Sequence, residues 1–199
     1  LLQWRKEKGY IVYTATTSQT GTSTSSIKNY IQDAYDSWIP KPEFVTLIGD
    51  DGGSYSDIPT YFENWSGYNG EGDHPYSQLD GNDLMGDVLL GRISVRNTNE
   101  LNVISNKIIH YEKATYISST GTDWYEGAAL VGDPSSSGMS TIITNEYIDE
   151  TMTAYGFDDI RTKYSGSFGS WMQNELAAGV AYFNYRGYWG VSGFGNGNI

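Results

Sequence analysis

The stretch Gly179-Val-Ala-Tyr-Phe-Asn-Tyr-Arg-Gly-Tyr-Trp-Gly190 decides how this chain is read. Residues 180–185 form an apolar, aromatic-rich run of strand length, which empties into a loop where Gly187, Gly190, Gly193, Gly195 and Gly197 are spaced by aromatic residues. Open α/β sheets bind ligands outside the carboxyl ends of their strands, and glycine lets the backbone approach a bound group or take φ > 0. The end of this strand therefore reads as the edge of a site.

Outward from it, strands and helices alternate. The pattern predicts strands over 10–16, 44–50, 87–93, 127–132 and 158–163, with a further short strand from His74. Helices are expected over 25–38, 99–115, 140–155 and 168–178. Helix 25–38 carries Ile27, Tyr30, Ile31, Ala34, Tyr35 and Trp38 at i, i+3, i+4 spacing, and helix 99–115 carries Leu101, Ile104, Ile108, Ile109 and Tyr111. Apolar strands alternating with amphipathic helices predict a largely parallel sheet covered by helices on both faces. The loop over 51–73 is too long for a plain connection unless it is functional or holds short strands of its own. Residues 1–9 look like the end of an amphipathic helix, basic in its last turn and stopped by Gly9. The 199 residues are read as one partial domain, truncated at both ends.

Composition narrows the function. Aspartate and glutamate number 24 against 12 lysines and arginines, for a net charge of −12, so no basic stripe exists to bind nucleic acid. Cysteine is absent, which excludes a disulfide framework, a thiolate metal site and a cysteine nucleophile within these residues. No apolar run approaches a membrane span. Low lysine and arginine with 24 glycines and abundant Ser, Thr, Asn and Tyr fit an extracellular or cell-surface protein.

Three predicted strands end alike, in Leu47-Ile-Gly-Asp-Asp51, Leu130-Val-Gly-Asp-Pro134 and Asn184-Tyr-Arg-Gly-Tyr-Trp189. Parallel strands would bring these termini to one edge, making Asp50, Asp133, Gly187, Tyr188 and Trp189 the candidate site residues. The competing reading of Asp50 and Asp133 is a turn in which Asp bonds its own backbone two residues on. His110 falls near a helix C-terminus, where a partly charged imidazole suits the dipole, and His74 enters the next element from a loop. Neither histidine has a second at zinc-ligand spacing. The loops 50–57 and 80–83 are rich in carboxylates and carbonyls, the oxygen ligands calcium takes, with solvated turns as the plainer reading. Tyr55, Tyr61, Phe62, Trp65 and Tyr68 could stack on sugar or peptide, or plug the sheet edge.

Taken in order, Trp4-Arg-Lys-Glu-Lys-Gly9, Val45-Thr-Leu-Ile-Gly-Asp50, Asp57-Ile-Pro59, Tyr76-Ser-Gln-Leu-Asp-Gly-Asn-Asp83, Asp87-Val-Leu-Leu-Gly-Arg92, Ile109-His-Tyr-Glu112 and the stretch from Gly179 to Gly187 resemble the catalytic domain of the gingipain family of cysteine peptidases. The resemblance implies a caspase-like three-layer α/β/α fold with a mostly parallel sheet, a protein or peptide substrate, structural calcium with Asp80 and Asp83 the first candidate ligands, and a place in a larger secreted multidomain protein.

In that family a histidine stands in a Gly-His-Gly motif after the strand, and a cysteine follows at the end of the next strand, here beyond Ile199. Tyr188 occupies the histidine position, Gly187 precedes it, and Asp133 is the nearest counterpart of the acid that orients the histidine. A neutral tyrosine is a poor base toward a thiol at neutral pH. The chain is thus either a pseudopeptidase or one in which another group activates the nucleophile. Met139, Ser140 and Thr141 fill the stretch where the best-known members carry the acid behind their basic-residue preference, so that preference is not expected here. The resemblance makes the chain a secreted cysteine endopeptidase domain. The alternative is a non-catalytic surface or adhesion module that binds glycan or peptide.

Overall fold

The computed structural model describes residues 1–52, 57–65, 68–187, 189–190 and 193–194, and the chain divides into two compact units, residues 1–115 and 116–199.

In the first unit, helix α1 (Leu2–Glu7) and the short α2 (Thr17–Thr20) precede α3 (Thr24–Ser37), which Ser23 caps by accepting from the Ser26 N–H at 3.1 Å. Strand β1 (Phe44–Ile48) pairs in parallel with β4 (Leu89–Ile93), from Phe44 opposite Leu89 to Ile48 opposite Ile93. Between them the long connection folds into the antiparallel hairpin β2 (Tyr61–Trp65) and β3 (Tyr68–Gly72), which meets the sequence condition for a loop of that length. Helix α4 (Thr98–Glu112) closes the unit, with Asn97 accepting from the Glu100 N–H at 3.0 Å. The core gathers Ile27 and Ile31 of α3, Leu47 of β1, and Tyr76, Leu79 and Val88 from the segment before β4.

Arg92 ties this unit together. Its Nε and Nη2 bind the Asp73 carboxylate at 2.6 and 2.7 Å, while Nη1 donates to the carbonyls of Gly49 and Ile58 at 2.9 and 2.8 Å. One guanidinium thus joins the end of β1, the segment before β2 and the end of the hairpin. Burial alone would raise the Asp73 pKa, but hydrogen bonds and charge from Arg92 outweigh it and hold the carboxyl below its ordinary value. The buried Tyr76 hydroxyl donates to Pro59 O at 2.6 Å, and burial pushes its pKa up to about 12.

In the second unit, α5 (Ile117–Thr120) leads to β5 (Gly127–Gly132), α6 (Pro134–Ser137), α7 (Ser140–Tyr155), β6 (Asp159–Lys163), α8 (Phe168–Ala178), β7 (Tyr182–Arg186) and a two-residue pair, β8 (Trp189–Gly190) with β9 (Gly193–Phe194). The sheet runs β6-β5-β7, all parallel, with β5 central and every one of its residues buried. Glycine and alanine at 127–129 suit a strand covered on both faces. Val131 packs with Phe168 and Met172 of α8. Each unit thus has its own parallel sheet with helices, which is the α/β class expected, but the strands form separate sheets where one continuous sheet was expected.

Two expected strands are absent. Residues 10–16 form no ladder: their aromatic groups make ring contacts instead, Tyr10 with Phe44 at 5.8 Å and Tyr13 with Trp38 at 4.5 Å. Strand propensity without a paired backbone does not make a strand. The segment from His74 is a 3₁₀ turn, His74–Ser77, because Pro75 supplies a preset φ in its first turn and no ladder donor. Tyr111, assigned to the apolar stripe of helix 99–115, is exposed.

Helix α1 buries no side chain. Trp4 Nε1, Arg5 Nη1 and Lys8 Nζ all donate to the Glu112 carboxylate at 2.7–2.9 Å, and Lys113 Nζ stands 4.8 Å from the Trp4 ring centre. Lys8 above all, with Arg5 and Trp4, draws the Glu112 pKa down to about 2 despite partial burial. A depressed carboxylate pKa contributes stability above its unfolded value and loses it as pH falls through the folded one. Glu112→Gln should therefore cost on the order of 1 kcal/mol at neutral pH. Denaturant titrations of both proteins should show the gap narrowing below the ordinary value of 4.5 and closing near about 2.

Candidate functional site

In the second unit the parallel register places Gly132 opposite Arg186, and the Asp133 N–H donates to Arg186 O at 2.8 Å. Asp133 and Gly187 therefore leave the sheet side by side at its carboxyl edge, whereas Asp50, expected on the same edge, follows β1, which pairs with β4 in a separate sheet. Asp133 also satisfies the turn reading. It caps α6, accepting from the Ser135 N–H at 2.9 Å and from the Ser135 hydroxyl, and it is buried.

What permits this edge is Gly132. A Cβ there would stand 2.9 Å from the Thr141 carbonyl oxygen and 3.2 Å from Asn145 Nδ2, so only glycine lets α7 start this close to the end of β5. Thr141 and Asn145, one helical turn apart, are the buried polar residues of α7. Asn184 of β7 donates from Nδ2 to Asn145 Oδ1 at 2.6 Å, while the buried Asn145 Nδ2 has no hydrogen-bond partner among the described residues. This pair binds α7 to the strand that carries Gly187. Sequence reasoning missed it, although an asparagine four residues after a threonine on the sheet-facing stripe of a helix was the available signal.

Beside the pair lies a cavity of about 270 Å³ lined by Ser137, Ser140, Thr141, Tyr185, Arg186 and Gly187. Ser137 and Arg186 were not singled out from the sequence. Tyr188, the central candidate, lies outside the described residues. Trp189 is placed only by its backbone, opposite Phe194.

The remaining candidates belong to the first unit. Asp50 follows β1, forms an isolated parallel bridge with Asp57, and accepts at its carbonyl from the Ile58 N–H at 3.0 Å. Asp83 Oδ1 accepts from the Met85 N–H at 2.8 Å, while the Asp80 N–H donates to Asp87 at 2.8 Å. The Asp80–Asp83 turn is exposed, and among the described residues no three His, Asp or Glu side chains converge on a common point. This donor set does not by itself fit calcium, which takes six to eight oxygens. His74 Nε2 bonds Leu84 O at 2.8 Å, and His110 Nδ1 bonds the Thr115 hydroxyl at 2.8 Å near the end of α4, where a structural role was expected. Of the loop aromatics, Tyr61 packs edge-on against Tyr76 at 4.9 Å, as a plug would, and Phe62 is exposed. Tyr55 lies outside the described residues, as do the side chains of Trp65 and Tyr68. No helix among the described residues is long and apolar enough to cross a membrane.

The fold is shared with a solved cysteine proteinase. The crystal structure of the Arg specific cysteine proteinase gingipain R matches with a TM-score of 0.82 at 23% identity, over 98% of this chain and 44% of that one. The Porphyromonas gingivalis complex of RgpB pro- and mature domains matches with a TM-score of 0.79 over 98% of this chain. The α/β architecture is the caspase-like one.

By sequence the chain belongs to Peptidase family C25, which it matches over residues 1–199. Gingipain R2 of Porphyromonas gingivalis is 26% identical over 212 residues, covering all of this chain and 27% of that protein. Lys-gingipain of the same organism is 27% identical, covering 94% of this chain and 11% of that protein. The chain thus spans about a quarter or less of these relatives and under half of the solved chain.

The Asn145–Asn184 bond yields a stability test. Asn184→Ala strands a second polar atom of Asn145 in the interior and should cost about 1–3 kcal/mol in denaturant unfolding. A loss within error of zero would show that water or another group already serves Asn145.

Proposed function

We propose that this chain is part of a secreted endopeptidase-type domain whose peptide-engaging edge is the carboxyl end of β5 and β7. One observation carries the reading: in a member of Peptidase family C25, Asp133 and Gly187 emerge side by side at that edge, next to a cavity. Gly187 leads into Tyr188, the position where the family resemblance expects a histidine, and Asp133 is where the orienting acid would stand. A partial match to much longer relatives supports a place in a multidomain protein, and composition supports an extracellular or surface location.

Cysteine-peptidase chemistry needs a thiolate and a group that takes or shares its proton. At this edge the described residues bring the Asp133 carboxylate, held in the α6 cap, next to a cavity lined by hydroxyls and the Arg186 guanidinium. Because Tyr188 stands where the family resemblance expects the histidine, and a neutral tyrosine is a poor base toward a thiol, the reading is a domain that holds peptide and hydrolyses it weakly or not at all. A non-catalytic peptide-binding module is the second reading, favoured by Tyr188 itself.

The intact protein should show little or no cleavage of a mixed peptide library and weak labelling by a thiol-directed probe. General-base assistance is worth about 10² to 10⁴ in rate, so Tyr188→His should raise both where a cysteine completes the site. Robust cleavage by the unmodified protein, abolished by a thiol blocker, would overturn the weak-activity reading.

Calcium is proposed on the family resemblance alone, with loop carbonyls completing the Asp80 and Asp83 carboxylates. Chelator should lower the thermal midpoint, and an unchanged midpoint removes calcium from the reading.

A further inference from the structure

We infer that the cavity beside Gly187 is a subsite for an acidic side chain, so that the peptide engaged at this edge carries Asp or Glu at the position seated there. The inference rests on the peptide-engaging reading above and names the chemistry that edge selects.

Of the six lining residues only Arg186 is charged; the Ser140 and Thr141 hydroxyls already donate to Ser137 O and Gly138 O, at 3.3 and 2.9 Å. The volume of about 270 Å³ suits a single side chain rather than a cofactor. In a chain with 24 acids and 12 bases an arginine readily finds a carboxylate, and Arg5, Arg92, Arg96 and Arg161 each do so within 4.0 Å. Arg186 is the fifth, and no carboxylate among the described residues lies within 4.0 Å of its guanidinium. Asp133, the acid at the same edge, is turned into the α6 cap and does not line the cavity.

The surrounding backbone has the same sign. Helix α7 is 16 residues long and begins at Ser140, and Met139 at its N-cap offers no side-chain acceptor. The N–H groups of Thr141 and Ile142 donate three residues back, to Gly138 O and Met139 O, over long distances of 3.2 and 3.1 Å. The positive end of the helix dipole thus adds to the guanidinium at one wall. A carboxylate brought here gains a partner suited to bidentate binding, whereas a lysine or arginine meets like charge.

The test uses the intact protein and fluorescein-labelled capped hexapeptides of Ala and Gly that differ at one position, occupied by Asp, Glu, Asn, Gln or Arg. Anisotropy titrations should show the acidic peptides binding about 10- to 100-fold more tightly than their amide counterparts, the range expected for a charge-assisted hydrogen bond. Arg186→Gln should erase that preference, Arg186→Lys should keep part of it, and Arg186→Glu should shift it toward the Arg peptide. Because Arg186 is exposed at the end of β7, these variants should retain the wild-type melting profile, which circular dichroism checks. Equal binding of the Glu and Gln peptides, or a preference unchanged in Arg186→Gln, overturns the acidic subsite and leaves the peptide-engaging reading standing. Failure to bind any peptide overturns both.

Discussion

Position 132 cannot carry a side chain, and the second unit is arranged around that constraint. With the Thr141 carbonyl only 2.9 Å from where a Cβ would be, α7 starts in contact with the end of β5. Asn145 then lies within reach of Asn184, and Ser140 and Thr141 line the cavity with Arg186 and Gly187. A larger residue at 132 would push the start of the helix away and separate groups that come from three different elements. The site is thus a result of close backbone packing, with side chains added to a geometry that glycine makes available.

The first unit solves a similar problem by other means. Its loop-to-strand transitions are irregular, and their carbonyls need donors. Arg92 supplies several from one rigid fork, and Asp73 compensates the charge. Replacing the guanidinium with an ammonium would keep the charge and lose the geometry. The Gly-Arg pair quoted for the family resemblance has in Arg92 a clear structural occupation.

Elements that combine regular periodicity with a partner were legible in the sequence. Strand β5 and helix α8 fall where the apolar pattern puts them, because Leu130, Val131, Phe168 and Met172 are buried; α7 also falls at its expected bounds, although the residues it buries are Thr141 and Asn145. Residues 10–16 were not legible, since a β-rich composition says nothing of whether a neighbouring backbone is free to pair. His74–Ser77 was expected as a short strand, and Pro75, which lacks a ladder donor and presets φ, makes it a tight turn instead. At the site, the pairing of Asp133 with Gly187 followed from parallel topology. The place of Arg186 in the cavity wall did not, because nothing in a linear string shows which arginine has no carboxylate near it among the described residues. The Asn145–Asn184 contact joins residues 39 apart and depends on helix phase and strand register together.

The contrast between β5 and α1 also fixes the order in which the molecule comes apart. Strand β5 is paired on both edges and buried throughout, so its amide protons exchange only when the second unit opens as a whole. Helix α1 has no fully buried side chain and converges on one carboxylate, so its release needs no core to be breached. A protease present during purification would meet the segment around Trp4 and Lys8 long before it met any strand, and trimming there would leave both hydrophobic cores whole.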